Sequence, residues 1–574
     1  MCGIAGISLT KGMVQPTLLQ GMAKRMVHRG PDGEGIFTFL NMGLAHRRLA
    51  ILDLAGGQQP LRTESDTAPV AAVVNGEIYN YKILQAGLRD DGVALATHSD
   101  SEPVLHLVMR EGEAAWEKLS GMYAAAVADG RSGTLWLGVD PFGIKPLYYA
   151  ETPKGLAFAS EPQVLVQSGW VRAEVNREVL PSLLNRHFCA GDATLFTGVK
   201  KMLPGERLCV KDGRIIKRWR QLPRLAPALP SMDLDSALAA FETRFTAAIE
   251  RHLQSDVPYG VLLSGGLDSS TIVLTMAKLG VPIHAYTARF AKAGDEDTAA
   301  AQLAASVGAK HTTVTYDADD FWQALPKLAM YMDDLTTDYS SLPLLKLMER
   351  ARQDVTILLS GEGGDELLAG YRGYRQSPLQ AWWKGLRKGD AVPFRGLFRN
   401  GAMASAPKDG GVPWNMRGFS RLQRRQSADL AQWLPQDLLL RLDRISMAHS
   451  IEGRVPFLDD DFAAWAFALP DTLKVGTPDG GKPMGKWLLR QWLARQGHSD
   501  LAFGKKKGFS VPVGDYLALR RDEVAAIWAE SPLLQELLKP KAADVLLGRL
   551  GHAKAANLAF SLTLLGLWER GHLS

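Results

Sequence analysis

The stretch "LLSGGLDSS" (Leu262–Ser270) decides the fold of the larger part of this chain. It grows out of "YGVLL" (Tyr259–Leu263), which reads as a buried strand, and runs into "TIVLTMAKLG", a helix closed by Gly280. Gly265 and Gly266 let the backbone come close to a ligand, while serines and the amides of the following helix's first turn offer donors to an anion. The stretch is a phosphate cradle. Asp268, set among groups that attract anions, makes sense as a carboxylate holding Mg²⁺ against that phosphate. A Gly-Gly turn with an Asx cap explains the glycines and Asp268 but not the whole run after a buried strand.

Upstream, "SALAAFETRFTAAIERHL" places Leu238, Phe241, Phe245, Ile249 and Leu253 on one helical face. Downstream, "IHAYTARF", "DTAAAQLAASVG", "HTTVTY" and "VTILLSGEGGDE" alternate strand and helix. That order predicts a parallel sheet with ligands at the carboxyl ends of its strands. "LLSGEGGDE" (Leu358–Glu366) repeats the cradle design with three carboxylates, Glu362, Asp365 and Glu366, in five residues. They repel one another unless a cation or a proton is shared; a metal beside a phosphate supplies one, and a solvated acidic turn is the plainer alternative. "GTPDGGKP" (Gly476–Pro483) nearly spells a second phosphate loop, but Pro483 stands where a hydroxyl is needed, so it reads as a polar turn.

Residues 1–215 carry short apolar runs broken by Gly, Asn and Asp ("APVAAVVNGEIYN", "GTLWLGVD", "GLAFAS"), the signature of a β-rich layered domain. Pro223, Pro227 and Pro230 mark a break, giving domains 1–215 and 236–574 joined by a linker, 216–235. A chain of 574 residues needs more than one core. At 46% hydrophobic and 22% charged, with 66 basic against 61 acidic residues and a net charge of +5, it has no bias toward a nucleic-acid partner. Cys2, Cys189 and Cys209 form neither a disulfide framework nor a zinc site. With no signal peptide and no apolar run of membrane length, the expectation is a cytoplasmic protein.

The chain opens "MCGIAG". Removal of Met1 leaves Cys2 with a thiol and the free α-amine, a nucleophile carrying its own base.

"MCGIAG", "HRGPDG" (His28–Gly33), "LAHRRLAILD" (Leu44–Asp53), "NGEIYN" (Asn75–Asn80), "SDSE" (Ser99–Glu102), "SGGLDSS", "LSGEGGDE", "EGRVPFLD" (Glu452–Asp459) and "KKKGFSVPV" (Lys505–Val513) together resemble the glutamine-hydrolysing asparagine synthetases of the B type. The resemblance implies an α+β N-terminal domain of αββα Ntn-hydrolase layers, a class II glutaminase, and an α/β C-terminal synthetase domain with a parallel sheet of the adenine nucleotide α-hydrolase-like, PP-loop kind. It implies that Cys2 attacks the glutamine amide and that Asn75 and Gly76 form the oxyanion hole. Arg48 binds the glutamine carboxylate, and Glu77 and Asp100 the amino group. For ATP it implies Leu263, Ser264, Gly265, Gly266, Asp268, Ser269 and Ser270, with Ala288, Ser360 and Gly361 near the adenosine. Asp268 and Asp365 match the Mg²⁺ carboxylates, and Glu362 and Lys486 the groups nearest the acyl-adenylate chemistry, although a lone Lys opening a helix can equally be plain surface.

The reaction implied is ATP-dependent amide formation: ammonia from glutamine crosses an interdomain tunnel to an acyl-adenylate, giving amide, AMP and pyrophosphate. Aspartate is the implied acceptor. "MDDLTTDYSSLPL" (Met332–Leu344), expected to shape its pocket, departs from familiar patterns, and relatives amidate other carboxylates. A homodimer is implied. A cyclase that makes no use of glutamine is disfavoured by intact Cys2, Asn75, Gly76 and Asp100; a non-catalytic nucleotide-binding regulator, by the retention of both sites. The run 376–416, with Trp382 and Trp383, reads as an amphipathic surface helix rather than a partner or membrane patch.

Overall fold

The structure, a computed structural model, describes residues 2–63, 65, 67–290, 296–375, 394–399, 412–478, 480–504 and 511–573. Trp382, Trp383 and residues 505–510 of "KKKGFSVPV" lie outside the described residues.

The N-terminal domain stacks two sheets. One joins β1 (Gly3–Leu9), β2 (Gly33–Phe39), β3 (Met42–Arg48), β8 (Tyr148–Thr152), β9 (Gly155–Ala159) and β10 (Lys200–Lys201) in the order β10-β8-β9-β1-β3-β2. The other joins β4 (Leu61–Arg62), β5 (Val70–Ile78), β6 (Gly121–Asp129), β7 (Thr134–Val139), β11 (Glu206–Lys211) and β12 (Arg214–Arg220) in the order β12-β11-β7-β6-β5-β4. Every pairing in both sheets is antiparallel. Strand alternation builds the layers. Ile4, Leu44, Val73, Ala126 and Leu208 meet between the sheets. Ala5 and Ile7 face the other way, toward Leu19 and Met22 of the helix Pro16–Lys24, and Ala72, Val74 and Ala125 pack beneath Val104, Leu105 and Val108 of the helix Glu102–Glu111. Both faces of each sheet are covered, giving four layers, αββα. That is why "PVAAVV" is apolar at every position.

The segment after β12 has no regular structure until residue 234, yet it is not a free tether. Gln423 donates to the Ala226 carbonyl at 2.9 Å and accepts from the Ala228 N–H at 3.0 Å, and the Leu229 N–H donates to Ala468 at 2.9 Å. The helix Leu234–His252 follows, capped by Asp233, with Leu238, Phe241, Phe245 and Ile249 buried. The C-terminal domain is built on a five-stranded sheet, β15-β14-β13-β16-β17, parallel throughout, from β13 (Tyr259–Leu262), β14 (His284–Phe290), β15 (Lys310–Tyr316), β16 (Ile357–Leu359) and β17 (Glu452–Arg454). Helices cover it, among them an eleven-residue π-helix, Asp429–Leu439, that contains Pro435.

The two domains share a buried polar seam. Arg29 donates to Asp443 at 2.9 and 3.1 Å and to Glu161 at 3.1 Å; Arg444 donates to Asp333 at 2.9 Å and to the Ser160 carbonyl at 3.1 Å. Lys201 reaches Asp334 at 3.0 Å, and the Tyr148 hydroxyl donates to the same carboxylate at 3.2 Å. Arg29, Arg444, Asp333 and Asp443 are all nearly inaccessible to solvent. Asp333 and Asp334, near the start of the stretch Met332–Leu344, thus belong to the domain interface.

Candidate active sites

The first site sits where β1, β3 and β5 converge. Cys2 is buried; its backbone N–H donates to Asn75 Oδ1 at 2.9 Å, and its carbonyl accepts from Arg29 Nε at 3.1 Å. Burial pushes its thiol up, while the Leu49 backbone N–H and the Arg48 charge pull the other way. Asn75 Nδ2 is buried and has no partner among the described residues, a donor held ready in a site without solvent. Gly76 has φ +141°, and a Cβ there would stand 1.9 Å from the Met122 carbonyl oxygen, so only glycine lets β5 pass. Arg48 is fixed by the carbonyls of Leu54 at 3.0 Å, Asp53 at 2.6 Å and Leu52 at 3.3 Å.

Two buried carboxylates complete this pocket. Asp100 accepts from the Ile78 N–H at 2.8 Å, and burial raises it to about 6. Glu77 is raised well above the carboxylate range by burial and by Asp100 and Glu452, against the pull of Arg454, whose Nη2 lies 3.3 Å away. The structure therefore brings Cys2, Arg48, Asn75, Gly76, Glu77 and Asp100 into one part of the N-terminal domain.

The second site lies at the carboxyl ends of β13, β14 and β16. Gly265 has φ +68° at the turn. Ser269 Oγ meets both the Ser264 N–H and the Ser264 hydroxyl at 3.2 Å, and the Gly266 N–H donates to Ser264 Oγ at 3.3 Å. Ser270 Oγ is buried with no partner among the described residues. Leu263 is tied to β14 by the Tyr286 carbonyl at 2.8 Å, which places Ala288 beyond it on the same strand. The two glycine loops touch: a Cβ on Gly361 would stand 2.8 Å from Asp268 Cβ, and one on Gly364 2.7 Å from Asp268 Oδ1. Ser360 enters this junction with its N–H on the Arg454 carbonyl at 2.8 Å.

Lys486 is no surface residue. It is 5% exposed, at φ +55° before the helix Trp487–Arg495, and it bonds Asp268 Oδ2 and lies 2.7 Å from Asp365 Oδ1. These two carboxylates raise its pKa, against the effect of burial. A hairpin, Val475–Gly476 with Met484–Gly485, delivers it, and Thr477 and Gly480–Pro483 of "GTPDGGKP" lie exposed at the end of that hairpin.

The three crowded carboxylates separate by partner. Asp365 faces Lys486, Glu362 lies 3.6 Å from Arg441, and Glu366 turns inward, where Tyr371 donates to it at 2.6 Å and burial raises it to about 8. Burial, with Asp365 and Asp268, also pushes Glu362 up. Arg441 in turn bonds Asp338, on the second half of Met332–Leu344, and Asp437, on the π-helix, adds a buried carboxyl with no partner among the described residues. Among the described residues no three His, Cys, Asp or Glu side chains converge as a metal cage. Asp268 and Asp365 are two hard oxygen donors on facing loops, which suits Mg²⁺ shared with phosphate oxygens.

The sequence reading assigned no role to Arg29, Arg441, Asp443, Glu452 or Arg454. The signal available was charge inside otherwise apolar strands and helices, as in "EGRVPF", since a charge so placed needs a buried partner.

The sequence profile of the family described as "Asparagine synthase" matches residues 240–570, and that of the "Glutamine amidotransferase domain" matches residues 1–220. The chain is 30% identical over 571 residues to "Asparagine synthetase [glutamine-hydrolyzing] 1" of Bacillus subtilis (strain 168), covering 91% of this chain and 89% of that protein. It is 30% identical over 588 residues to the "Putative asparagine synthetase [glutamine-hydrolyzing]" of Mycobacterium tuberculosis (strain ATCC 25618 / H37Rv), covering 90% and 88%. With "Asparagine synthetase [glutamine-hydrolyzing] 2" of Arabidopsis thaliana it shares 29% over 507 residues, covering 85% and 74%. On the profile match and the length of these alignments, the chain belongs to the asparagine synthase family.

Proposed function

We propose that the chain hydrolyses glutamine at Cys2 and uses the ammonia to convert aspartate into asparagine at the expense of ATP, releasing AMP and pyrophosphate. The observation that carries this reading is a thiol pocket and a phosphate cradle joined through one buried seam. Arg48 takes the glutamine α-carboxylate, and Glu77 and Asp100 its α-ammonium group. Burial makes the Cys2 thiol a poor acid, so it needs a base at hand. With Met1 removed, its own α-amine, with a reference pKa of about 7.7–8.0, accepts the proton. The thiolate adds to the amide carbon, and the oxyanion is met by Asn75 Nδ2 and the Gly76 N–H. Ammonia leaves with the returned proton, and water then hydrolyses the thioester to glutamate.

Neutral ammonia crosses best through apolar surroundings, because protonation in water removes its nucleophilicity. Leu49, Ile51, Met122, Phe142 and Ile144 belong to a core continuous with that of the C-terminal domain, which supports a route across the seam. In the second site an aspartate side-chain oxygen attacks the α-phosphorus and pyrophosphate departs; ammonia then displaces AMP from the acyl carbon. Glu362, its pKa pushed up by burial, accepts the ammonia's excess proton. The loops of Ser264–Ser270 and Ser360–Gly361 hold the nucleotide. Lys486 and Arg441 bring positive charge to the phosphate and acceptor sides. Asp268 and Asp365 would hold Mg²⁺, which when bound neutralises charge on the departing pyrophosphate. The three cysteines are unpaired, in keeping with a reducing cytoplasm, and a homodimer is the assembly to check by light scattering.

The test is pyrophosphate release with ATP, Mg²⁺ and glutamine, with and without aspartate, on protein whose mass shows Met1 removed. Release that requires aspartate and yields asparagine, with ammonia rescuing Cys2→Ala, is the expected result. Glutamate formation without aspartate-dependent pyrophosphate would retain the glutaminase and discard aspartate as acceptor.

A further inference from the structure

Strand β17 serves both sites. Its backbone pairs with β16 in the register Ile357–Glu452, Leu358–Gly453 and Leu359–Arg454, and the Arg454 carbonyl holds the Ser360 N–H at the mouth of the nucleotide loop. Its outer groups reach into the N-terminal domain. The Gly453 carbonyl accepts from Lys145 Nζ at 3.1 Å. Glu452 is close enough for its charge to act on the Cys2 thiol. Arg454, with no solvent exposure, donates from Nε to Glu452 at 2.5 Å and from Nη1 to the carbonyls of His252 at 2.6 Å and Gln254 at 2.8 Å. Three bonds fix its plane and leave Nη2 aimed at Glu77 Oε1, 3.3 Å away and without an aligned hydrogen bond.

Glu77 depends on this neighbour. It is buried, and Asp100 and Glu452 are like-charged and raise it; Arg454 opposes them first, and the amino terminus of the chain adds a smaller pull in the same direction. A carboxylate so placed loses its charge or its orientation when its cation goes. We propose that Arg454 is a positioning residue of the glutamine pocket: it aims the Glu77 carboxylate at the α-ammonium group of glutamine, so the strand that frames the nucleotide site completes the glutaminase. The inference rests on the assignment of Glu77 made above. It gives the two domains a shared rigid part, in which displacement of β17 by the nucleotide loop is felt at the glutamine amino group.

The test measures ammonia release in the absence of an acceptor, from glutamine, which leaves glutamate, and from 4-carbamoylbutanoate, the same molecule without its α-ammonium group, which leaves glutarate. Full-length wild type, Arg454→Met and Arg454→Lys are compared. Wild type favours glutamine. Arg454→Met loses roughly 10- to 100-fold in kcat/KM for glutamine, chiefly through KM, with the analogue changed less than about threefold. Arg454→Lys, which keeps the charge without the fork, falls between. Equal losses on both substrates would assign Arg454 a purely structural role and overturn the proposal, as would an unchanged preference. If Arg454→Met does not fold, Arg454→Lys decides by the same comparison. A wild type that does not favour glutamine over the analogue removes the Glu77 assignment, and the proposal with it.

Discussion

Gly76 shows how tightly the chemistry is written into single positions. Its φ of +141° and the 1.9 Å clash that any Cβ would make with the Met122 carbonyl leave no room for alanine. Gly76→Ala must push β5 from β6, at a cost of about 3 kcal/mol or more, and it moves the N–H proposed for the oxyanion. Denaturant titration should show that loss, together with glutamate release reduced at least about 100-fold. Wild-type stability in the variant would mean the strand pair tolerates a side chain there, and would remove the steric argument. Asn75 follows the same logic: its Oδ1 is spent on the Cys2 N–H, so its Nδ2 is the atom left to meet a substrate.

At the scale of elements, the short helix Asp460–Ala468 shows how a segment of one domain senses the other. Asp460, in its first turn, accepts from the Ser120 hydroxyl of the N-terminal domain at 2.7 Å. Burial, with Asp459 and Asp140, raises its carboxyl to about 7, against the lowering effect of the Ser120 bond. The unfolded chain has a value of about 3.9, so the folded state binds this proton more tightly. The contribution is full below pH ~4 and is lost as pH rises through about 7, an effect on the order of a few kcal/mol. Asp460→Asn should therefore be more stable than wild type at pH 8 and nearly equal at pH 4, as read from urea midpoints. Parallel curves across that range would contradict the assignment.

The elements also mark what could be read in advance. The strand–loop–helix of Tyr259–Lys278 was legible because glycines, serines and Asp268 act within one turn of chain. The β-rich layers were legible from their apolar runs and turns. Lys486 was named through the family resemblance alone, because its local sequence reads as plain surface and a hairpin carries it between two loops 218 residues and more than a hundred residues upstream. The π-helix was not legible, because Pro435 and its neighbours carry no period that distinguishes it. Met332–Leu344, expected as a pocket wall, divides between the interface and the Arg441 cluster, a division set by residues far away in sequence.

For the whole molecule, the seam is what turns two sites into one enzyme. Arg29 and Asp443, 414 residues apart, look like surface charges in the sequence and become a buried pair in the fold. Asp443→Ala leaves Arg29 with Glu161 as its one remaining acidic partner in the seam, beside Arg444, and should cost up to about 3–5 kcal/mol. It should also raise the ammonia escaping to the medium per amide formed, because the domains then meet less tightly; stability loss without a change in that ratio would separate packing from transfer.

The most direct measurement supplies [amide-¹⁵N]glutamine in a large excess of unlabelled ammonium and reads the isotope in the asparagine formed with ATP and aspartate. Nitrogen that crosses inside the protein keeps its label, so the account predicts asparagine enriched well above the bulk ammonium pool. Asparagine with the isotopic composition of the bulk would show that ammonia leaves before it is used, and would contradict the claim that the buried seam carries it from Cys2 to the nucleotide site.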